Sequence, residues 1–335
     1  MQERAILITG GAGFIGSHLV EYLLSKYPNY YIINLDALTY AGDVKRLDNV
    51  KTHQNYKFIQ GNICDADLVT ELFQIYNISD VIHLAAESHV DNSIANPSIF
   101  IETNIQGTFT LLEAARLNWL GKKNNTKFLH ISTDEVYGSL GDNGYFSEGT
   151  SYAPNSPYSA SKASSDFLVR SYFHTYGLPI LISNCSNNYG PKQHDEKLIP
   201  TIIRKALKGE KIPIYGNGRN IRDWLYVGDH CSALDTIFHL GEIGESYNIG
   251  THNEKTNIEI ANLVCSILDD IKPLDEGGSY AKQISFVEDR LGHDFRYAID
   301  NNKICSKLGW QGASLFADSM RETVEWYVSC YPEHK

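Results

Sequence analysis

The stretch Ala5-Ile6-Leu7-Ile8-Thr9-Gly10-Gly11-Ala12-Gly13-Phe14-Ile15-Gly16 decides the fold of this chain. A short apolar run enters a glycine-rich turn, and helical spacing follows over 14–27. Glycines at 10, 13 and 16 permit a tight turn, close approach of the backbone to a pyrophosphate, and close helix–strand packing. A glycine pattern alone is weak. Its place between strand and helix, with Asp36 closing the next strand, makes it a dinucleotide signature. Asp36 would accept hydrogen bonds from ribose hydroxyls, and its charge would repel a 2′-phosphate. No Arg or Lys follows it until Lys45, so the pattern points to NAD rather than NADP.

Outward from this turn, strand-like runs at 5–9, 31–36, 56–60, 80–84, 127–132 and 179–184 alternate with helical patterns at 14–27, 65–76, 92–118 and 156–176. That alternation predicts an α/β fold with a Rossmann-like, doubly wound parallel sheet. Several strands are apolar throughout, as befits a sheet covered on both faces. After about residue 190 the pattern loosens. Pro191, Pro200, Gly209, Pro213, Gly216, Gly218 and Gly228 punctuate shorter elements, and helices recur at 196–208, 229–240, 256–268 and 312–330. We read 1–189 as a NAD-binding domain and 190–335 as a smaller α+β substrate domain. Part of the second region, about 225–250, returns to the main sheet through a strand over 245–249.

The chain has 335 residues, 42% hydrophobic and 21% charged, a composition that supports an ample core. A formal charge of −11 leaves no basic excess for nucleic acid or anionic membranes, so an anionic ligand must be caught by a few local Arg and Lys or by helix N-termini. The first residues read as a strand rather than a leader, and no apolar run reaches membrane-spanning length. The six cysteines are scattered without C-x-x-C, which predicts reduced thiols in a cytoplasmic protein. The 12 histidines show no ligand-like spacing, and no metal is expected.

Chemistry is concentrated in two places. Tyr158-Ser159-Ala160-Ser161-Lys162 opens a helix after Pro157, with both functional side chains on one face. The ammonium would lower the phenol pKa and could hold a nicotinamide ribose, making Tyr158 a base for an alcohol. Tyr22 and Lys26 repeat the spacing far from any strand end, as chance allows. Upstream, Thr133 supplies a hydroxyl, and Asp134-Glu135 are adjacent carboxylates able to act as separate acid and base. Asn62-Ile63 ends the third strand, where an adenine edge would lie. Ala85-Ala86-Glu87-Ser88-His89 follows the fourth, at the carboxyl edge where such sheets bind ligands.

These residues resemble the extended short-chain dehydrogenase/reductase superfamily and, over nearly the whole chain, its dTDP-glucose 4,6-dehydratase family. The resemblance is carried by Gly10–Ser17, 35–42, His83–Asp91, Ser132–Gly138, Tyr158–Lys162, Asn187–Pro191, Glu196–Pro200, Arg222–Val227 and Asp289–Asp294. It implies a lyase with NAD as cofactor and dTDP-glucose as substrate: oxidation at C4, loss of water across C5/C6, and reduction at C6. Thr133, Asp134, Glu135, Tyr158 and Lys162 would be catalytic. Phe14, Ile15, Ala37, Leu38, Thr39, Thr103 and Asn188 would join Gly10, Gly13, Gly16, Asp36, Asn62, Ile63, Ala85, Ala86 and Ser88 around NAD. Substrate contacts would be Glu87, Ser88, His89, Thr133, Asn187, Lys197, Leu198, Pro213, Tyr215, Arg222, Asn257, Arg290, His293 and Tyr297. The resemblance also implies a homodimer paired through a four-helix bundle. Three positions depart from the family pattern: Asn62 for Asp, Asn92 for Arg and Leu291 for Pro, the last two bearing on the substrate loops. A nucleotide-sugar 4-epimerase shares the glycine turn and the Tyr/Lys pair but has no use for Asp134-Glu135. A UDP-glucose 4,6-dehydratase and a non-catalytic dinucleotide sensor are the other readings.

Overall fold

The computed structural model describes residues 4–121, 125–275, 277–289 and 292–331. Its strands are β1 (Arg4–Thr9), β2 (Tyr30–Asp36), β3 (Tyr56–Gln60), β4 (Asp80–His83), β5 (Lys127–Thr133), β6 (Ile180–Cys185), β7 (Asn187–Tyr189), β8 (Ile212–Tyr215), β9 (Ile221–Tyr226), β10 (Ser246–Ile249), β11 (Glu254–Thr256) and β12 (Ile284–Val287). Seven of them form one parallel sheet in the order β10-β6-β5-β4-β1-β2-β3. The order reverses between β1 and β4, which opens a crevice at their carboxyl ends.

The apolar strands serve two cores at once. Ile6 and Ile8 pack with Leu19, Val20 and Leu23 of the helix Phe14–Lys26, and with Leu234 and Ile237 of the helix Val227–Leu240. Leu7 points the other way, towards Val69 and Leu72 of Ala66–Ile75 and Leu111 and Leu112 of Thr108–Trp119. Alternation along an extended chain makes both contacts possible. A third core, with Ile202, Ile203, Ile260 and Val264, sits beneath the smaller sheets β11-β9-β7 and β12-β8.

One expected element is corrected. The pattern over 92–118 predicts a single helix, but the chain forms Val90–Ala95, a short turn Ser98–Phe100, a π-helical stretch Ile101–Gly107, and then Thr108–Trp119. Pro97 lacks the N–H to continue the first helix. The wide π turn is packed tightly: a Cβ at Gly107 would lie 2.4 Å from Ile63 Cδ1. Such turns add one residue per loop and often mark functional sites.

Candidate active site

A cleft runs along the carboxyl ends of β1, β2, β4, β5 and β6 and holds both signals found in the sequence. At one end Gly10 adopts φ +75°, and a Cβ there would sit 2.7 Å from the backbone N of Ala85. A Cβ at Gly16 would lie 2.2 Å from the Gly10 carbonyl oxygen. Only glycine lets β1, the turn and the helix meet this closely. The helix Phe14–Lys26 has no side-chain cap and no acidic residue in its first turn, so its N-terminal N–H groups are kept for another acceptor. Asp36 is buried at the end of β2; its two oxygens accept from the N–H groups of Ala12 and Leu38, each at 2.8 Å. Burial pushes its carboxyl up, and those two N–H groups pull it back. Ala37, Thr39, Asn62, Ile63, Ala85, Ala86, Ser88, Thr103 and Asn188 line the same wall, together with Phe14 and Ile15. Leu38, expected there, turns at φ 54° and packs on the core, contributing its N–H to Asp36. Asn62 Oδ1 already accepts from the Cys64 N–H at 2.9 Å.

At the other end β5 stops at Thr133, and Asp134–Tyr137 forms one 3-10 turn. Thr133 Oγ1 accepts from the Glu135 N–H and donates to Asp134 Oδ1, each at 3.3 Å. Asp134 is 1% exposed, and its Oδ2 has no hydrogen-bond partner among the described residues. Burial first, and Glu135 next, push its carboxyl well above the usual range; Arg222 pulls it down. Asp134 is thereby held towards its protonated form beside a second carboxyl group. The turn is latched from the far edge of the sheet, where Tyr137 OH donates to Asn248 Oδ1 of β10 at 2.9 Å.

Pro157 at the first turn and a Ser156/Ser159 capping box start the helix Pro157–Tyr176. That start sets Tyr158 and Lys162 into the cleft, at 8% and 4% exposure. Thr133 pulls the Tyr158 phenol down, against its burial. Lys162 Nζ donates to the Ile131 carbonyl at 2.8 Å. The expectation of a lowered phenol pKa is corrected: burial, then Glu135, push Tyr158 up. Burial also pushes Lys162 down, and its ammonium donates to β5 rather than to the phenol.

Glu87, Ser88, Asn187 and Lys197, expected as substrate contacts, line the same cleft. Lys197 Nζ donates to the Ser88 carbonyl at 3.3 Å. His89 caps the helix Val90–Ala95 and lies 3.6 Å from Glu196 at the rim. Leu198 packs against the third core. Pro213 and Tyr215 on β8 and His293 form a separate cluster: the Tyr215 ring meets His293 edge-on at 6.3 Å, and His293 Nδ1 lies 2.6 Å from Asp289 Oδ1. Asn257 opens the neighbouring helix Asn257–Ile271. Arg222, expected as a substrate contact, is buried outside the cleft lining. Its guanidinium donates to the carbonyls of Ile221 (2.7 Å), Asp294 (3.1 Å) and Phe295 (3.3 Å) and lies 4.4 Å from the Tyr297 ring centroid. Its charge also pulls the Asp134 carboxyl down. Tyr297, buried, donates to Asp294 and is pushed up by burial and by Glu135, so it too belongs to the carboxylate end. Arg290 and Leu291 lie outside the described residues.

Sequence reasoning missed Cys185, Ser186, Gln193, His194 and Glu196, all on the cleft wall. Cys185 and Ser186 end β6, and the carboxyl-edge rule applied to that strand would have found them.

The GDP-mannose 4,6 dehydratase family model matches residues 7–323. The dTDP-glucose 4,6-dehydratase 1 of Escherichia coli K12 is 52% identical over 337 residues, covering 97% of this chain and 92% of that protein. The crystal structure of a dTDP-glucose 4,6-dehydratase from Streptomyces venezuelae with NAD and TYD bound superposes with a TM-score of 0.88 at 44% identity, covering 97% of each chain. A UDP-glucose 4-epimerase from Thermotoga maritima shares the fold (TM-score 0.85; 97% of this chain, 99% of that one) at 29% identity. By family model and by full-length identity alike, the chain belongs to the GDP-mannose 4,6 dehydratase family and, within it, to the dTDP-glucose 4,6-dehydratases.

Proposed function

We propose that this chain is a hydro-lyase converting dTDP-glucose to dTDP-4-keto-6-deoxyglucose with NAD as a regenerated cofactor. The observation that carries the reading is the buried Asp134, its Oδ2 without a hydrogen-bond partner among the described residues, beside Glu135 in the cleft that also holds Tyr158 and Lys162. An epimerase, which eliminates nothing, has no use for such a pair. The name shared by the relatives supports the thymidine nucleotide.

The cleft suits NAD on its own geometry. The glycine turn is closed to any Cβ at positions 10 and 16, the helix N-terminus is uncapped, and an acidic residue closes β2. Gly10, Gly13, Phe14, Ile15 and Gly16 would take the pyrophosphate; Asp36, Ala37 and Thr39, the adenosine ribose; Asn62 and Ile63, the adenine. Ala85, Ala86, Ser88, Thr103, Lys162 and Asn188 would surround the nicotinamide half. When bound, NAD accepts hydride from C4 and returns it at C6.

The chain's own groups move the protons. Tyr158 takes the proton of the C4 hydroxyl, which Thr133 orients. It can do so only as its phenolate, so the Lys162 ammonium must offset the burial and the Glu135 charge that push the phenol up. The C4 ketone then acidifies the C5 hydrogen, and Glu135 removes that proton. Asp134 gives its proton to the C6 hydroxyl, so water leaves instead of hydroxide. A proton returned at C5 completes the 4-keto-6-deoxy sugar. Asp134, raised by burial and by the Glu135 charge, suits the acid of an acid–base pair. Glu87, His89, Asn187 and Lys197 would position the hexose, with Leu198 behind them. Pro213, Tyr215, Asn257 and His293 would receive the nucleotide, with Arg290.

We also read the chain as a homodimer in the cytoplasm. Phe109, Leu117, Phe167 and Tyr176, on the adjacent helices Thr108–Trp119 and Pro157–Tyr176, are 40–58% exposed, which supports a four-helix bundle across a two-fold axis. The six cysteines are unpaired, which fits a reducing compartment. Among the described residues no helix is long and apolar enough to cross a membrane.

Incubation with dTDP-glucose and NAD, followed by mass spectrometry of the sugar nucleotide, tests the function. Loss of one water with no net cofactor consumption is expected. An isomer of unchanged mass would replace this reading with an epimerase, and faster turnover of UDP-glucose would reassign the base.

A further inference from the structure

The face of the helix Pro157–Tyr176 that carries Tyr158 and Lys162 continues, one turn on, to Asp166. Its side chain is fully buried. Four groups from other elements converge on it. Ser132 Oγ of β5 donates to Oδ2 at 2.8 Å, Tyr152 OH at 2.9 Å, and Asn184 Nδ2 of β6 at 3.5 Å. His130 Nε2 lies 3.1 Å from Oδ1, which has no hydrogen-bond partner among the described residues.

A buried carboxylate needs a compensating positive charge. His130 does not supply it: burial, then Lys162, push that imidazole down to about 4, so it is neutral at neutral pH. Lys162 faces the mirror problem, a buried amine that donates to the Ile131 carbonyl. Burial pushes it down, and Asp166 is the largest influence pushing it up. The other titratable groups around Lys162 are His83 from β4, His130 from β5, Cys185 from β6, Asp134 and Glu135 in the turn after β5, and Tyr158 on its own helix. The pair is spaced one helical turn apart, without direct contact.

We propose that Asp166 is a positioning residue for the oxidation step: its buried carboxyl ties Ser132 of β5, Asn184 of β6 and Tyr152 to the helix, one turn from Lys162, whose ammonium is held by Ile131, the neighbour of Ser132. This rests on the roles given to Tyr158 and Lys162 above. Asp166 touches neither substrate nor cofactor; it acts through Lys162.

Two measurements test it. In Asp166→Asn the alkaline limb of the kcat/KM profile, where Lys162 loses its charge, moves to lower pH by about one unit or more. Tyr152→Phe removes a hydrogen bond but keeps the carboxylate, and leaves that limb in place. A uniform fall in activity with an unmoved limb in Asp166→Asn overturns the proposal. The second measurement is thermal unfolding of Lys162→Met, Asp166→Asn and the double variant, and it requires no turnover. Lys162→Met strands the carboxylate and lowers the Tm, and adding Asp166→Asn restores it. A double variant as unstable as the summed single losses overturns the proposal. A wild-type protein that leaves dTDP-glucose unchanged refutes the assigned reaction instead, while the unfolding cycle still decides the pairing of Asp166 with Lys162.

Discussion

The helix Phe14–Lys26 carries Tyr22 and Lys26, and the helix Pro157–Tyr176 carries Tyr158 and Lys162 at the same spacing. The first pair makes the contact that the motif suggests: Lys26 Nζ donates to Tyr22 OH at 3.0 Å. Lys26 also donates to Asp235 at 2.7 Å, the hydrogen bond that raises its pKa most, and its side chain is 48% exposed. The second pair does not make that contact. Lys162 bonds a strand carbonyl, both residues are buried, and the phenol faces two carboxyl groups at a strand end. Spacing places two side chains on a face; what the face looks onto determines what they do.

Substitutions break or sharpen this contrast in descending order. Tyr158→Phe should cut kcat by about 10²–10⁴-fold, the usual worth of a proton-transfer group, while Tyr22→Phe leaves turnover as it was. Equal losses from the two would erase the distinction. Within the active pair's surroundings, Glu135→Gln should still oxidise C4 and then stall, with reduced-nicotinamide absorbance building up in a single turnover. If that variant dehydrates at the normal rate, Glu135 is not the base.

Asp134→Asn separates activity from stability. The folded chain holds the Asp134 proton to higher pH than an unfolded chain does. The stabilisation from this group is therefore complete below the ordinary Asp range, at about pH 4, and is lost as pH rises through the raised folded-state value. The variant should lose dehydration yet gain Tm relative to wild type as pH rises, measured by thermal melts across that range. A pH-independent Tm difference would contradict the raised carboxyl. The smallest effect belongs to the exposed pair: Lys26→Ala should change stability by no more than about 1 kcal/mol in urea unfolding.

What could be read in the sequence follows from the range of the forces involved. The glycine turn, Asp36, Asp134-Glu135 and Tyr158/Lys162 declare themselves because strand, turn and helix are neighbours in the chain. Pro97 was equally plain, yet the apolar spacing around it reads as one helix, and the break with its π turn appears only in three dimensions. The destinations of Arg222 and Lys162 are set by carbonyls of Asp294, Phe295 and Ile131, which no local pattern reveals. Leu38 turned into the core for a related reason: its N–H is needed by Asp36, and that fixes where its side chain goes.

The edge position of β10 has a consequence for synthesis on the ribosome. Tyr137, two residues after Glu135, is held by Asn248, which is translated more than a hundred residues later. A nascent chain that has already emitted the glycine turn, the carboxylates and Tyr158 still lacks this hydrogen bond, and its β6 edge stays unpaired. The fully braced active site thus becomes available only late in translation. A fragment cut near residue 189 would carry the catalytic groups without their brace and with an open strand edge, a template for aggregation.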